Sequence, residues 1–186
     1  DLHPRVRRQR QMCIRDSVND VAEYEGNYYY VGADGNVSTT TGWKKIKTAT
    51  QTIWYWTTAD SGKLLTNSWL DYNGNSYYLK ADGKMAFNEW LDNTYYFRSW
   101  GAAYKNAWAK VNNVWYYFNQ SGYMTENQWV MNNNQWYYCG VSGALVKSQW
   151  VQTNGAWYYC GADGAMLTSQ MIGGQYYVDK NGVWVQ

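Results

Sequence analysis

A unit of about 21 residues recurs along this 186-residue chain, and the repeat limits what the chain can fold into. In each clear copy a first Trp is followed seven positions later by a Trp-Tyr-Tyr run, and a Gly stands seven positions after the second Trp. An apolar side chain follows two positions beyond that Gly. Units this short cannot bury a core alone, so the copies must stack on one another. Clear copies begin at Trp108, Trp129 and Trp150, and looser copies begin at Trp43, Trp69 and Trp90.

Each unit also contains two sets of turn residues, which predict a β-hairpin. In the first set, Asn and Gly adopt positive φ at little cost, as tight hairpin turns require. The second set follows the Trp-Tyr-Tyr run and places Asp34, Asp82, Asp163 or Asn181 before a Gly. We interpret these aspartates as turn residues rather than catalytic groups. The first set comprises Asn73-Gly74, Asn112-Asn113, Asn133-Asn134, Asn154-Gly155 and Gly173-Gly174.

The predicted fold is therefore all-β, an elongated solenoid of stacked β-hairpin repeats of about 21 residues. We expect about seven hairpins over residues 18–186, with degenerate copies at both ends. Side chains alternate between the two faces of a strand, so one apolar column should form the core. That column is the fourth residue of the Trp-Tyr-Tyr run: Val31, Leu79, Phe97, Phe118, Cys139, Cys160 and Val178.

Residues 1–17 differ in composition from the rest of the chain. They contain five Arg, the single His and the single Pro, and we interpret them as a non-native or disordered tail derived from adapter readthrough. A native basic tail is the alternative. Without these residues, basic and acidic side chains nearly balance, which gives no electrostatic basis for binding nucleic acid. No apolar run is long enough for a membrane span.

The chain has 13 Trp and 20 Tyr, and this aromatic content suggests what the repeat binds. Two Trp of one unit and a Tyr of the next could wall a box with Met at its floor. Such a box suits a quaternary ammonium group, because the negative faces of the rings attract a cation. The alternative is that the same rings only hold the units together, and spacing alone does not separate the two.

The repeat resembles the choline-binding, or cell-wall-binding, repeat of bacterial surface proteins. The resemblance is carried by the paired Trp, the Trp-Tyr-Tyr run and the Gly, and it is closest over residues 108–170. It implies a secreted module at the bacterial cell surface that binds choline groups on teichoic or lipoteichoic acids. The partner would be a choline-decorated cell-wall polymer. The resemblance leaves open whether a catalytic or adhesin domain precedes residue 18 in the full protein.

The same resemblance implies three choline cages between successive hairpins and a weaker fourth. The first uses Trp108, Trp115 and Tyr138 with Met124. The second uses Trp129, Trp136 and Tyr159 with Leu145. The third uses Trp150, Trp157 and Tyr177 with Met166. The weaker box uses Trp43, Trp54 and Tyr78, whereas Ser76 and Thr94 replace the second Trp of the copies at Trp69 and Trp90.

Two other classes of function were weighed against choline binding. Related repeats bind glucans or other carbohydrates, on open aromatic platforms rather than in closed boxes. An enzyme needs an acid, base, nucleophile or metal site. The single His lies in the tail, and no nucleophile or phosphate-binding motif occurs. We therefore predict a non-catalytic module without cofactor or metal.

Two further features of the sequence each have two interpretations. Cys139 and Cys160 occupy the same position of adjacent repeats, and we expect buried free thiols, although a disulfide stays open. Lys44, Lys45 and Lys47 form a basic cluster beside Trp43. This cluster is either a solvated turn or a contact for the phosphates of an anionic polymer.

Overall fold

A computed structural model describes residues 18–59 and 61–185. The prediction for residues 1–17 lies outside the described residues. The described chain consists of short strands and no helix, which confirms the predicted all-β repeat fold. The strands are β1 Asp20–Tyr24, β2 Asn27–Val31, β3 Gly42–Lys47, β4 Thr52–Thr57, β5 Ser68–Tyr72, β6 Asn75–Leu79, β7 Trp90–Leu91, β8 Tyr95–Tyr96, β9 Ala107–Val111, β10 Val114–Phe118, β11 Gln128–Asn132, β12 Gln135–Cys139, β13 Gln149–Thr153, β14 Ala156–Cys160, β15 Gln170–Ile172, β16 Tyr176–Val178 and β17 Trp184–Val185.

In this part of the chain, successive strands pair into eight antiparallel hairpins, and β17 adds to the last as a third strand. The prediction was about seven hairpins, and the incomplete first copy is among the eight that form, as β1 and β2. The predicted turn pairs have positive φ at both positions, for example 48° at Asn112 and 67° at Asn113. Such turns match the twist of the flanking strands, which explains their Asn and Gly content. None of the described segments is a membrane-spanning helix.

The predicted apolar column is the core of the repeats. All seven of its side chains have 0% exposure. In the β3–β4 hairpin the equivalent residue is Thr57, also fully buried, whose hydroxyl donates to the carbonyls of Thr40 at 2.6 Å and Gly42 at 3.0 Å. A buried polar group satisfied in this way fits an apolar column at little cost.

The chain forms two compact units, one containing β1–β6 with residues 97–103 and the other containing β7–β17. Within each unit, the loop after one hairpin bonds to the second strand of the preceding hairpin. In the first unit, the Met85 N–H donates to the Trp54 carbonyl at 2.8 Å. In the second, Leu145 and Met166 donate to the carbonyls of Trp115 and Trp136 at 2.8 and 2.7 Å. These bonds fix the register between successive repeats.

The repeated Gly meets two requirements at once. Gly143 has a φ of +73°, and a Cβ at this position would lie 2.5 Å from the Met124 sulfur. Gly164 and Gly182 approach Leu145 and Met166 in the same way, at 2.8 and 2.7 Å. The apolar residue of one repeat therefore packs against the bare backbone of the next.

We expect Gly143→Ala to lower the free energy of unfolding by about 2–4 kcal/mol, from positive-φ strain plus overpacking against Met124. Gly155→Ala is the matched control, because its φ is +78° and nothing lies within 4 Å of an added Cβ. The control should lose only about 1–2 kcal/mol, the backbone strain alone. Denaturant unfolding of both variants measures the difference, and equal losses would contradict a role for the close approach.

Cys139 and Cys160 are free and buried, as predicted. Burial raises the pKa of each thiol from 9.0 to about 11. At pH 8 this lowers the thiolate fraction about a hundredfold, so both thiols should react slowly with a disulfide reagent in the native chain. Reaction rates before and after unfolding, in a Cys13→Ser background, test this expectation. Rapid native reaction of either thiol would contradict its burial.

Candidate functional site

The two Trp of a repeat lie on one face of its hairpin. Trp108 is the second residue of β9 and pairs with Tyr117, while Trp115 is the second residue of β10 and pairs with Lys110. Cross-strand partners share a face, as do residues two apart along a strand. Both indoles and the second Tyr of the run therefore share the face opposite Phe118.

The first Trp of each of the three clear copies is held edge-to-face between two phenols. Trp108 meets Tyr117 of its own hairpin at 5.2 Å and Tyr137 of the next hairpin at 5.6 Å between ring centroids. The same arrangement recurs twice, with interplanar angles of 62° to 83° over the set. This geometry is favoured by the ring quadrupoles and leaves the indole faces available. The recurrences are Trp129 with Tyr138 and Tyr158, and Trp150 with Tyr159 and Tyr176.

One such arrangement borders an open cavity of about 370 Å³ in the second unit. Its four lining residues are Trp150, Trp157, Tyr176 and Trp184. Tyr176 meets Trp150 at 83° and Trp184 at 75°, so the rings stand as walls rather than stacking on each other. The volume lies in the range of small-molecule sites. We name this cavity the Trp157 pocket.

A second cavity, of about 530 Å³, lies in the first unit and uses equivalent positions. Trp43, Trp54, Tyr77 and Met85 match the four residues of the Trp157 pocket. Trp43 meets Trp54 at 89° and Tyr77 at 71°. The cavity is larger because Gln51, Thr52, Phe87, Ser99 and Trp100 extend its lining. We name it the Trp54 pocket.

The structure brings two of the predicted Trp pairs, Trp150 with Trp157 and Trp43 with Trp54, to these pockets, and in all four copies it places a different Tyr beside the first Trp. Tyr138 packs against Trp129 of its own hairpin, and the ring that meets Trp108 is Tyr137. Likewise Tyr159 and Tyr78 pack against the first Trp of their own hairpins. The wall of the Trp157 pocket is Tyr176 rather than Tyr177, which pairs with Val185.

Strand alternation explains this correction. The second Tyr of a run shares a face with its own Trp pair and so points toward the following hairpin. Only the first Tyr, on the core face, can reach back to the preceding Trp pair. The signal was present in the sequence, since the predicted core column fixes which face the first Tyr occupies.

The apolar residue at the floor of each pocket also comes from a different repeat: it belongs to the hairpin after the one that supplies the Trp pair. Met85 lines the Trp54 pocket, and Trp184 occupies the equivalent position in the Trp157 pocket. By the same register, Leu145 bonds to the strand of Trp115 and Met166 to that of Trp136. Met124, assigned to the first cage, instead packs on the cluster of Phe118, Ala109 and Val111.

The two copies that lack a second Trp have local hydrogen bonds in its place. The Ser76 hydroxyl donates to the Asp71 carboxylate, and the Thr94 hydroxyl donates to the Asp92 carbonyl at 2.9 Å. Neither side chain supplies a ring to a box. The sequence likewise gives these two copies no second Trp, so it predicts no complete box at either.

The walls of both pockets are uncharged. Burial, with a smaller contribution from Tyr72, raises the pKa of Tyr77, so this phenol is neutral at physiological pH. The residues that line either cavity include no carboxylate. In the described part of the chain, no group of His, Cys, Asp and Glu is arranged to hold a metal ion. Attraction for a cation must therefore come from the ring faces.

The aspartates of the second turns have structural roles, as predicted. Asp34, Asp82 and Asp163 each accept a hydrogen bond from the backbone N–H two residues ahead, at 3.0 to 3.1 Å. Hydrogen bonds from Asn36 hold the pKa of Asp34 below its usual value. These carboxylates stabilise turns.

Comparison with known proteins agrees with this geometry. Two family models, both described as choline-binding repeats, match residues 63–102 and 144–184 and residues 105–150. A comparison with curated proteins gave no match.

Solved structures with the same fold come from Streptococcus pneumoniae. The modular autolysin LytC, in complex with a synthetic peptidoglycan ligand, is similar with 26% identity and a TM-score of 0.72, over 91% of this chain and 38% of that one. Choline binding protein F is similar with 31% identity and a TM-score of 0.66, over 91% and 58%. The choline-binding domain of CbpL is similar with 27% identity and a TM-score of 0.65, over 91% and 98%.

The chain thus spans less than two-thirds of LytC and of choline binding protein F, but nearly all of the CbpL domain. Its repeats match choline-binding models, its hairpins follow choline-binding structures, and two of its Trp pairs line aromatic pockets. The chain belongs to the choline-binding repeat family.

Proposed function

We propose that this chain attaches an exported protein to the bacterial cell wall by binding choline groups of teichoic or lipoteichoic acids. The supporting observation is the Trp157 pocket, a cavity of about 370 Å³ lined by four aromatic side chains. The Trp54 pocket repeats its composition in the other unit. The module binds and does not catalyse, and any enzymatic activity belongs to a separate domain.

The chemistry of the pockets suits a trimethylammonium group. A cation over an indole or phenol face gains about 0.5–2 kcal/mol per ring, depending on desolvation. Its methyl groups gain about 25 cal/mol per Å² of apolar surface removed from water. A primary ammonium ion would lose more hydration and bury fewer methyl groups. The pocket therefore favours methylated amines without an acidic partner.

Ring orientation favours choline over a glucan. A sugar stacks on a flat, open aromatic face, whereas the matching wall rings of the two pockets meet at 71° to 89° around a cavity. Trp100, with 52% exposure, is the ring that best resembles an open platform. Titration of the Trp fluorescence with choline and with a soluble glucan separates the two functions. Saturation by the glucan alone would overturn the choline proposal.

Tyr176 and Tyr177 offer a matched test of which phenol forms the wall. They are adjacent and equally exposed, at 43% and 44%, yet only Tyr176 lines the Trp157 pocket. We expect Tyr176→Leu to weaken choline binding at this pocket by about tenfold, the loss of one cation–ring contact. Tyr177→Leu should bind as the parent chain does. Calorimetric titration measures both, and a larger loss in Tyr177→Leu would restore the sequence-based assignment.

Attachment to a polymer should depend on several pockets at once. Each additional engaged pocket multiplies the affinity for a multivalent ligand by roughly tenfold or more. The double variant Trp115→Ala with Trp136→Ala should thus lose about the product of the two single losses in retention on choline-bearing walls. Near-ultraviolet circular dichroism monitors folding. Full retention by the folded double variant would contradict the role of these Trp.

A further inference from the structure

We propose that the Trp54 pocket binds the phosphate of a choline ligand as well as its ammonium group, and so has a higher affinity for phosphorylcholine than for choline. This inference rests on the proposed function and adds a second specificity to one of its sites. The Trp157 pocket, lined only by aromatic residues, should not make this distinction.

Two indole rings that line the Trp54 pocket each have a basic side chain of the same chain lying over them. Lys45 Nζ lies 5.7 Å from the ring centroid of Trp54. The guanidinium carbon of Arg98 lies 6.0 Å from the ring centroid of Trp100. Both indoles line the same cavity. Lys45 and Arg98 do not line the cavity themselves, but they place positive charge beside two of its rings.

Strand register places a further lysine on this face. Lys45 and Lys47 lie two and four residues after Trp43 along β3, so they share its face. Their partners on β4, Trp54 and Thr52, lie on the same face. Thr52 lines the pocket and is paired with Lys47. Of the three lysines in the basic cluster, Lys45 and Lys47 therefore lie on the pocket face and Lys44 lies on the opposite face.

A bare choline ion gains from the rings but is repelled by these cations. A phosphate bonded to the choline reverses that balance, because its negative charge can meet the lysine and arginine while the ammonium enters the box. Gln51, Thr52 and Ser99 add hydrogen-bonding groups to the lining. The larger volume of this cavity, about 530 Å³, accommodates the longer ligand.

The Trp157 pocket provides the neutral counterpart. Lys45 pairs with Trp54 across β3 and β4, and Gln152 pairs with Trp157 in the same register across β13 and β14. Lys45→Gln therefore gives the Trp54 pocket the neutral residue found at the Trp157 pocket. Gln152→Lys gives the Trp157 pocket the lysine found at the Trp54 pocket. Lys44 is the charge-matched control, since it lies on the opposite face of β3 and donates to Thr40 Oγ1 at 2.7 Å.

Site-resolved titration tests the proposal. The indole N–H resonances of Trp54 and Trp157 are followed by NMR in the full chain while choline or phosphorylcholine is added at low ionic strength. We expect Trp54 to bind phosphorylcholine about three- to tenfold more tightly than choline, the effect of one or two cations near a phosphate at a solvent-accessible site. Trp157 should respond to both ligands with affinities within about twofold of each other.

The variants decide which residues cause the preference. Lys45→Gln combined with Arg98→Gln should remove it at Trp54, Lys44→Gln should retain it, and Gln152→Lys should increase the relative affinity of Trp157 for phosphorylcholine. Equal affinities at Trp54, or a preference that survives the double substitution, would overturn the proposal. If neither indole responds to choline, the proposed function itself fails.

The phosphorylcholine group also occurs on phospholipids, and we assign the wall polymer as its source because the proposed function does. Sedimentation with choline-bearing wall polymer and with phosphatidylcholine vesicles compares the two. We expect retention on the polymer that is reduced in the Lys45→Gln and Arg98→Gln double variant. Equal retention on vesicles would contradict this source.

Discussion

The edge-to-face contact between an indole and the phenols on either side of it is the interaction on which the rest of this structure depends. Trp108, Trp129 and Trp150 each join the second Tyr of their own hairpin to the first Tyr of the next. The same contact links successive repeats and stands the rings upright. A single geometry therefore packs the repeats and leaves indole faces free for the proposed binding, so the two interpretations left open by the sequence are compatible.

The fold was predictable because its determinants are local. Asn112-Asn113 and its equivalents require positive φ, and the column that includes Phe118 and Cys139 is fully buried as the alternation of faces predicts. The walls of the boxes were less predictable, because they depend on how one hairpin faces the next. The sequence-based cage uses Tyr138, whereas the ring that contacts Trp108 is Tyr137; the two differ by one residue, which in a strand reverses the face.

The floor of each box shows a second limit of sequence reasoning. The apolar residue after the repeated Gly lies next to the Trp pair of its own repeat in sequence, but its backbone bonds to the preceding repeat. This is why Met85 and Trp184 line the two cavities. The residue that pairs with the second Trp differs among the copies that have both Trp. It is Lys45, Lys110, Met131 or Gln152. Constant rings with a variable neighbour allow sites of one repeat array to differ in ligand preference.

The most direct test of this account is a crystal structure of the chain with choline. The account predicts the quaternary nitrogen within the Trp157 pocket, with its methyl groups against the faces of Trp150, Trp157 and Tyr176 and no carboxylate in contact. A choline bound elsewhere and paired with an acidic side chain, while this pocket is closed by its own rings, would contradict it.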